Sequence, residues 1–127
     1  MEELKPIIWI GSSRKDLRDF PAKVQKDIGD ALQQIQRGLR PKSVKTLSGF
    51  GGASVLEIRE DYDTDTYRTV YTVRFAERIY VLHAFQKKSH HGTQTAKHDA
   101  ELIQSRLNMA AVLHRELNMT RSENKER

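Results

Sequence analysis

The chain has 127 residues, with 22 lysines and arginines against 17 aspartates and glutamates, which gives a formal net charge of +5. This length suits a single domain, and 37% apolar with 31% charged residues is typical of a folded, soluble protein rather than a disordered one. The absence of cysteine excludes disulfides, thiolate catalysis and cysteine-based zinc sites. No apolar run approaches the roughly 20 residues of a membrane helix, and the start of the chain lacks signal-peptide features, so we expect a cytoplasmic protein.

The first third of the chain predicts a strand followed by two helices. Residues 6–10 are β-branched and aromatic, which favours a strand. Ser13 begins a pattern that resembles a capping box and predicts a short helix over residues 14–18. A second helix is predicted between Pro21, which fits a first turn, and Gly38, which fits a helix end. Its apolar residues recur at spacings of three and four: Val24, Ile28, Ala31, Leu32, Ile35 and Leu39.

In the rest of the chain the apolar period changes to two and then returns to a helical one. Residues 42–54 include a glycine-rich stretch and predict a connection without regular structure. Residues 55–59, 66–75 and 79–86 predict three strands of an antiparallel meander. Thr95 is a candidate N-cap for a last helix, whose stripe repeats at three and four: Ala100, Ile103, Leu107, Ala110, His114 and Leu117.

Together these elements predict an α+β domain with the order β-α-α-β-β-β-α. Two helices precede most of a small antiparallel sheet and one helix follows it. We expect one domain over residues 1–119. Residues 120–127 are highly charged and poor in apolar side chains, so we expect a C-terminal tail that frays.

The positive charge is concentrated in two windows that contain no aspartate or glutamate. Residues 31–56 hold four cations, and residues 78–98 hold four more together with four of the five histidines. Basic surface that collects in patches favours a polyanionic partner, most simply nucleic acid. The alternative is a solvated face near a few helix ends. The candidate RNA-binding residues in and beside these windows are Arg37, Arg40, Lys42, Lys45, Arg74 and Lys97.

Several standard catalytic motifs are absent, including the dinucleotide, P-loop, zinc-protease and nucleophile-elbow patterns. The glycines of residues 49–52 follow no predicted strand, so we interpret them as a surface loop rather than a phosphate loop. The adjacent His90 and His91 point apart on regular backbone and have no carboxylate or cysteine close in sequence, so we predict no metal site and no cofactor. His83 and His114 occupy strand and helix positions that favour structural roles.

Cations and histidines on or just after the predicted strands are suited to cleaving RNA without a metal. Attack by the ribose 2′-hydroxyl needs a base, cations for the pentacoordinate phosphate and an acid for the leaving 5′-oxygen. Arginine and lysine can supply the charge, and histidine is the natural proton carrier near neutral pH. The alternative is that the cations pair with Glu57, Glu60 and Asp61 across the sheet. The candidate catalytic residues are Arg59, Arg68, Lys87, Lys88, His90 and His91.

Three segments resemble the RelE/ParE superfamily of toxin–antitoxin toxins, most closely its HigB-like, phage-derived branch. Residues 56–59 contain an E-x-R strand, residues 67–71 a Y-R-x-x-Y strand, and residues 81–88 an H-x-F-x-K-K strand end. The resemblance covers roughly residues 5–107 and includes the order of the elements. It implies that the motif cations hold the scissile phosphate, and that a proton-transfer group lies near the last helix. The implied phosphate-binding residues are Arg59, Arg68, Lys87 and Lys88, with His90 and His91 nearest to the proton-transfer region.

The resemblance implies a type II toxin that inhibits translation by metal-independent cleavage of mRNA while docked on the ribosome. Its implied partner is a cognate antitoxin, a helix-turn-helix DNA-binding protein, and no membrane or small-molecule cofactor is implied. Two alternatives are a ParE-like, non-enzymatic toxin that binds gyrase and an inert phage-derived RNA-binding module. The cations and histidines after the last strand favour the ribonuclease, because a gyrase binder does not need them. The fold alone does not choose among these functions.

Overall fold

The computed structural model describes residues 4–87 and 95–125, with side chains up to residue 120. Two helices follow the first strand, four strands then follow one another, and one helix ends the fold, which confirms the predicted α+β class. No helix within the described ranges is long and apolar enough to span a bilayer. In chain order the elements are β1 (Ile7–Trp9), α1 (Ser13–Arg18), α2 (Ala22–Gln36), β2 (Val44–Thr46), β3 (Val55–Tyr62), β4 (Asp65–Thr72), β5 (Ile79–Lys87) and α3 (Lys97–Lys125).

The five strands form one sheet in the order β1-β5-β4-β3-β2. The strands β3, β4 and β5 are the predicted antiparallel meander. Two features of the sheet differ from the prediction. β1 pairs with β5 in parallel, with Ile7 opposite Ile79, so the sheet is mixed. The segment predicted to be irregular contains β2, in which Val44 lies opposite Ile58. A strand of three residues is too short to show an alternating pattern.

Helices cover the sheet on both faces, which we name by the helix that packs there. On the α2 face, α1 and α2 pack against strand residues such as Leu56, Ile58 and Tyr71. On the α3 face, the long last helix packs against residues such as Val70 and Tyr80. Because successive side chains of a strand alternate between faces, the meander strands are buried along most of their length. Each apolar stripe predicted for the helices therefore has a sheet face to cover.

The apolar stripe of α2 is buried as predicted, except at its last residue. Val24 and Ile28 are almost inaccessible to solvent, whereas Leu39 is 57% exposed. The helix ends at Gln36, and Gly38 adopts a left-handed conformation with φ of 84°, so Leu39 lies beyond the helical stripe.

The start of α3 differs from the predicted cap. The helix begins at Lys97, and the carbonyl of Ala96 accepts the hydrogen bond of the Ala100 amide. The hydroxyl oxygen of Thr95 is buried and makes no hydrogen bond within the described part of the chain, so the prediction that Thr95 is the N-cap is wrong. At its other end α3 continues to Lys125. The division of the chain into a domain over residues 1–119 and a tail over residues 120–127 stays a prediction.

Candidate functional site

The strand register brings three of the predicted catalytic cations onto the α3 face. Arg59 on β3 and Arg68 on β4 are Cα partners in the antiparallel ladder. Lys87 on β5 lies opposite Thr66, two residues before Arg68 on the same strand. Residues that face each other or are two apart share a face of the sheet. Arg59, Arg68 and Lys87 are therefore neighbours on three adjacent strands.

Two further charged residues of the same face complete the cluster. Lys45 on β2 is the Cα partner of Glu57 on β3, and Glu57 precedes Arg59 by two residues, so both belong to the same face. At the other end of this face, α3 packs on apolar strand residues such as Val55 and Val70. We call the charged end the cationic face. It consists of Lys45, Glu57, Arg59, Arg68 and Lys87.

At the centre of the cationic face is a buried ion pair. Arg68 is 1% exposed and Glu57 is 5% exposed, and the Nη1 atom of Arg68 lies 3.4 Å from Oε2 of Glu57. Burial raises the pKa of Glu57, and the positive charges of Arg68 and Arg59 partly offset this effect. The pairing that the sequence left open as an alternative is thus present for Arg68. It fixes the guanidinium below the surface of the sheet.

The two cations on either side of this pair are more accessible. The Arg59 side chain is 30% exposed, and its Nε lies 3.9 Å from Oδ1 of Asp61, a carboxylate that is itself 72% exposed. Lys87 is half-buried. Burial lowers the pKa of Lys87, and the adjacent charges of Arg68 and Arg59 lower it further. A phosphate group that approaches this face first meets Arg59 and Lys87, with the charge of Arg68 behind them.

The electrostatic balance of this region is positive. Four cations, Lys45, Arg59, Arg68 and Lys87, share it with the carboxylates Glu57 and Asp61, which leaves an excess of two positive charges (four minus two). Repulsion between neighbouring cations is relieved when a polyanion binds, so the arrangement favours phosphate. The other three predicted catalytic residues, Lys88, His90 and His91, lie outside the described residues.

Of the predicted RNA-binding residues, Lys45 and Arg40 lie at the edge of the sheet formed by β2. Lys45 is exposed on the cationic face. Arg40 is also exposed, and its Nη2 donates to the hydroxyl of Thr46, 3.2 Å away. Thr46 is the Cα partner of Leu56, so this contact lies on the α2 side of the β2 edge, whereas Lys45 lies on the α3 side.

The remaining RNA-binding candidates are dispersed. Arg37 is exposed at the end of α2, and Lys97 lies 4.0 Å from Glu101 one turn later in α3. Lys42 lines a groove that also contains three carboxylates, Asp27, Asp30 and Glu60. The structure therefore does not join these three cations to the cationic face, and the carboxylates around Lys42 oppose a phosphate there.

Arg74 makes contacts that hold the glycine-rich loop. Its Nε donates to the Ser54 hydroxyl at 2.9 Å, and its Nη2 donates to the backbone carbonyls of Phe50 and Gly51. Gly51 has a φ of 79°, which favours glycine. The segment interpreted as a surface loop is thus fixed by an arginine from the end of β4. The contact of Arg74 with RNA stays a prediction.

The two histidines with predicted structural roles are both engaged in tertiary contacts. Nε2 of His83 lies 2.8 Å from Oδ1 of Asp99. Nδ1 of His114 lies 2.8 Å from the hydroxyl of Tyr80. Burial is the main cause that lowers the pKa of each imidazole. Within residues 4–87 and 95–120, no three histidine, aspartate or glutamate side chains are close enough to hold a metal ion.

Residues 15–108 match the family described as Phage derived protein Gp49-like (DUF891). The chain belongs to this Gp49-like family. The match includes the whole cationic face as well as His83 and Asp99. The family assignment agrees with the phage-derived character that the sequence motifs implied.

The fold of this Gp49-like chain is similar to that of the E. coli toxin RelE, as seen in a mutant in the free state. The two share 15% sequence identity with a TM-score of 0.53, over 82% of this chain and 94% of that chain. No curated protein sequence is significantly similar to this chain. The comparison confirms a RelE-like fold, while the HigB-like branch stays a prediction.

Proposed function

We propose that this Gp49-like protein is the toxin of a type II toxin–antitoxin system and inhibits translation by cutting mRNA without a metal. The observation on which the proposal rests is the register of the meander, which makes Arg59, Arg68 and Lys87 neighbours on one face. Cations on a rigid sheet need no rearrangement as charge develops on a phosphate, which is the condition for strong electrostatic catalysis. The family membership and the RelE-like fold support the same proposal.

In the proposed reaction the 2′-oxygen of a ribose attacks the adjacent phosphorus and the bond to the 5′-oxygen breaks. The products are a 2′,3′-cyclic phosphate and a 5′-hydroxyl. Arg59 and Lys87 contact the non-bridging oxygens, and Arg68, held by Glu57, adds its charge from below. One such cation typically contributes about a hundredfold to a thousandfold in rate.

The reaction also needs one proton removed from the 2′-hydroxyl and one delivered to the 5′-oxygen. We assign these transfers to His90 and His91, and a supporting charge to Lys88, because these residues follow soon after Lys87 in the sequence. Imidazole changes its charge near neutral pH, so it can serve both steps. The sequence predicts Glu57 only as a counter-ion of the cations. Glu57 lies two residues before Arg59, and this spacing indicates that it belongs to the cationic face.

The proposed substrate is mRNA held on the ribosome, in the cytoplasm, where Lys45 and Arg40 at the β2 edge add contacts to RNA phosphates. The proposed partner is an antitoxin with a helix-turn-helix DNA-binding domain, and a part of it that covers the cationic face would silence the toxin. An antitoxin segment with carboxylates suits this role, because it would supply the negative charge that RNA otherwise supplies.

Brief induction of the protein without an antitoxin, followed by primer extension on cellular mRNA, tests the proposal. We expect growth arrest and discrete cuts within coding regions. Intact message together with damaged DNA would contradict the ribonuclease and support a gyrase-binding toxin. Normal growth at a verified high soluble level would contradict any toxin and support an inert RNA-binding module.

A further inference from the structure

A buried contact between a histidine and a carboxylate joins the last strand to the last helix on the α3 face. His83 on β5 is 6% exposed, and its Nε2 lies 2.8 Å from Oδ1 of Asp99 in the first turn of α3. Burial lowers the pKa of His83 more than Asp99 raises it, so the imidazole is neutral at pH 7. A neutral ring with its proton on Nε2 donates that proton to the carboxylate.

This contact borders the cationic face. The His83 ring stacks on Phe85, with ring centroids 4.6 Å apart and an angle of 17° between the ring planes. Phe85 is the Cα partner of Arg68, and Lys87 follows two residues later on the same strand. The orientation of the His83 ring is therefore transmitted through Phe85 to the last residues of β5, next to the phosphate-binding cations.

The helix has other attachments to the sheet that do not involve His83. Arg106 is buried, and its Nη1 donates to the Leu82 carbonyl at 2.9 Å while its Nη2 donates to the Ser12 hydroxyl at 2.9 Å. Ile103 and Leu107 pack in the apolar cluster on the same face. These contacts hold α3 on β5, so the fold does not depend on the contact between His83 and Asp99.

We propose that His83 and Asp99 are positioning residues for the RNA-cleaving site, which fix the end of β5 relative to the start of α3. This inference rests on the proposed function. The contact ties β5 to the first turn of α3 at His83, and Phe85 and Lys87 follow on the same strand. The link therefore restricts the positions that the last residues of β5 can adopt. Catalytic groups are sensitive to such restriction, since a displacement of about 1 Å can lower the rate about a hundredfold.

The test compares purified variants in the cleavage of mRNA bound to ribosomes. His83→Phe keeps a ring that can stack on Phe85 but removes the Nε2 donor, and Asp99→Ala removes the acceptor. His83→Gln returns an amide donor at a similar distance from the backbone. The matched control is His114→Phe, which removes the 2.8 Å contact with Tyr80, another link between α3 and β5 but one distant from the cations.

We expect kcat to fall about tenfold to a hundredfold in His83→Phe and Asp99→Ala with KM unchanged, because the cations that bind RNA remain on the sheet. His83→Gln should recover most of the rate, and His114→Phe should cut at the wild-type rate. Amide hydrogen exchange of the free protein gives a second readout that does not depend on cleavage. In His83→Phe, exchange should become faster at residues 84–87 and in the first turn of α3 and stay unchanged in β3 and β4.

Three results would overturn the inference: equal kcat in His83→Phe and His114→Phe, no recovery in His83→Gln, or unchanged exchange at residues 84–87 and in the first turn of α3. A wild-type protein that does not cut mRNA would overturn the proposed function instead. In that case the exchange data still test the contact. Faster exchange confined to residues 84–87 and the first turn of α3 supports its positioning role, and unchanged exchange there contradicts it.

Discussion

The charged residues of the cationic face differ in how deeply they are buried, and this difference determines what each can do. Arg68 and Glu57 are buried together, whereas Arg59 and its neighbour Asp61 are accessible to solvent. A buried ion pair contributes little net stability, but the loss of one partner leaves an uncompensated charge in the interior. The sequence motif alone predicts an Arg68 whose removal leaves the fold intact, and its burial against Glu57 changes that expectation.

Arg68→Ala should therefore lower the free energy of unfolding by about 3–5 kcal/mol, because it leaves Glu57 buried without its partner. Arg59→Ala is the matched control, since it removes a solvent-screened pair and should cost less than about 1 kcal/mol. Urea denaturation of both variants measures the difference. Equal stabilities would show that the pair of Arg68 and Glu57 contributes no more than a surface contact.

The two imidazoles with lowered pKa values predict how stability depends on pH. Burial lowers the pKa of His83 and of His114 below the ordinary value of 6.5, so both rings are neutral in the folded protein. As the pH falls below 6.5, the unfolded chain binds protons that the folded chain does not, and the free energy of unfolding decreases until the lowered pKa values are reached. We expect urea denaturation to show this loss as the pH falls from about 7 to below 6.5. His83→Phe should flatten the profile, and an unchanged profile in that variant would contradict the neutral, buried state of His83.

At the scale of elements, the sequence predicts α2 and the meander because their apolar residues repeat several times, with the helical period in α2 and a period of two in the strands. The turn between β3 and β4 illustrates the limit. The predicted strands leave residues 60–65 between them, whereas the observed turn consists of Asp63 and Thr64, with φ of 50° and 69°. The parallel pairing of β1 with β5 and the formation of the short β2 depend on partner strands elsewhere in the sequence. No local sequence pattern therefore predicts them. The same reason applies to the contacts of Arg74 with the glycine-rich loop.

The site shows the same division between local and tertiary information. That Arg59 and Arg68 share a face follows from the period of the strands and the register of their hairpin. The alternation of apolar and charged residues over 56–59 predicts Glu57 on a polar face of the sheet. The burial of Glu57 and Arg68 depends instead on how neighbouring elements cover that face. The contact of His83 with Asp99 joins β5 to α3 across sixteen positions of the chain, and neither residue type signals the other.

The junction between β1 and α1 offers a test of how α3 is attached to the sheet. Gly11 has a φ of 57°, and a Cβ atom there would lie 2.8 Å from Nε of Arg106, whose guanidinium is already held by Leu82 and Ser12. Gly11→Ala should therefore destabilise the protein by about 1–3 kcal/mol, measured by thermal or urea denaturation. Gly29→Ala is the control, since it lies inside α2 with open space around it and should stabilise by about 0.5–1 kcal/mol. A neutral Gly11→Ala would contradict the close contact with Arg106.

Over the whole molecule the net charge is +5, but neighbouring lysines near β2 have different electrostatic surroundings. The α3 face presents the cationic face with Lys45 at its edge. Lys42, only three residues away in the sequence, lies instead in a groove with Asp27, Asp30 and Glu60. Two lysines of one basic window therefore have opposite electrostatic surroundings, and only one of them is suited to bind RNA.

Binding to ribosomes at several salt concentrations separates these two lysines. Lys45→Gln should weaken binding and reduce the slope of log Kd against log salt by about one phosphate contact, because fewer counterions are released. Lys42→Gln should leave both affinity and slope close to those of the wild type. Equal effects of the two substitutions, or binding that does not depend on salt, would show that the basic windows act only through net charge.

The central claim is that the cationic face cuts mRNA, and primer extension after brief induction tests it most directly when Lys87→Ala is compared with Lys26→Ala. Lys26 is an exposed lysine of α2 that pairs with Asp30, distant from the cationic face, so it controls for the loss of one positive charge. The wild type and Lys26→Ala should produce the same discrete cuts in coding regions. Lys87→Ala, at an equal soluble level, should reduce these cuts at least about a hundredfold. Undiminished cutting by Lys87→Ala would contradict the account.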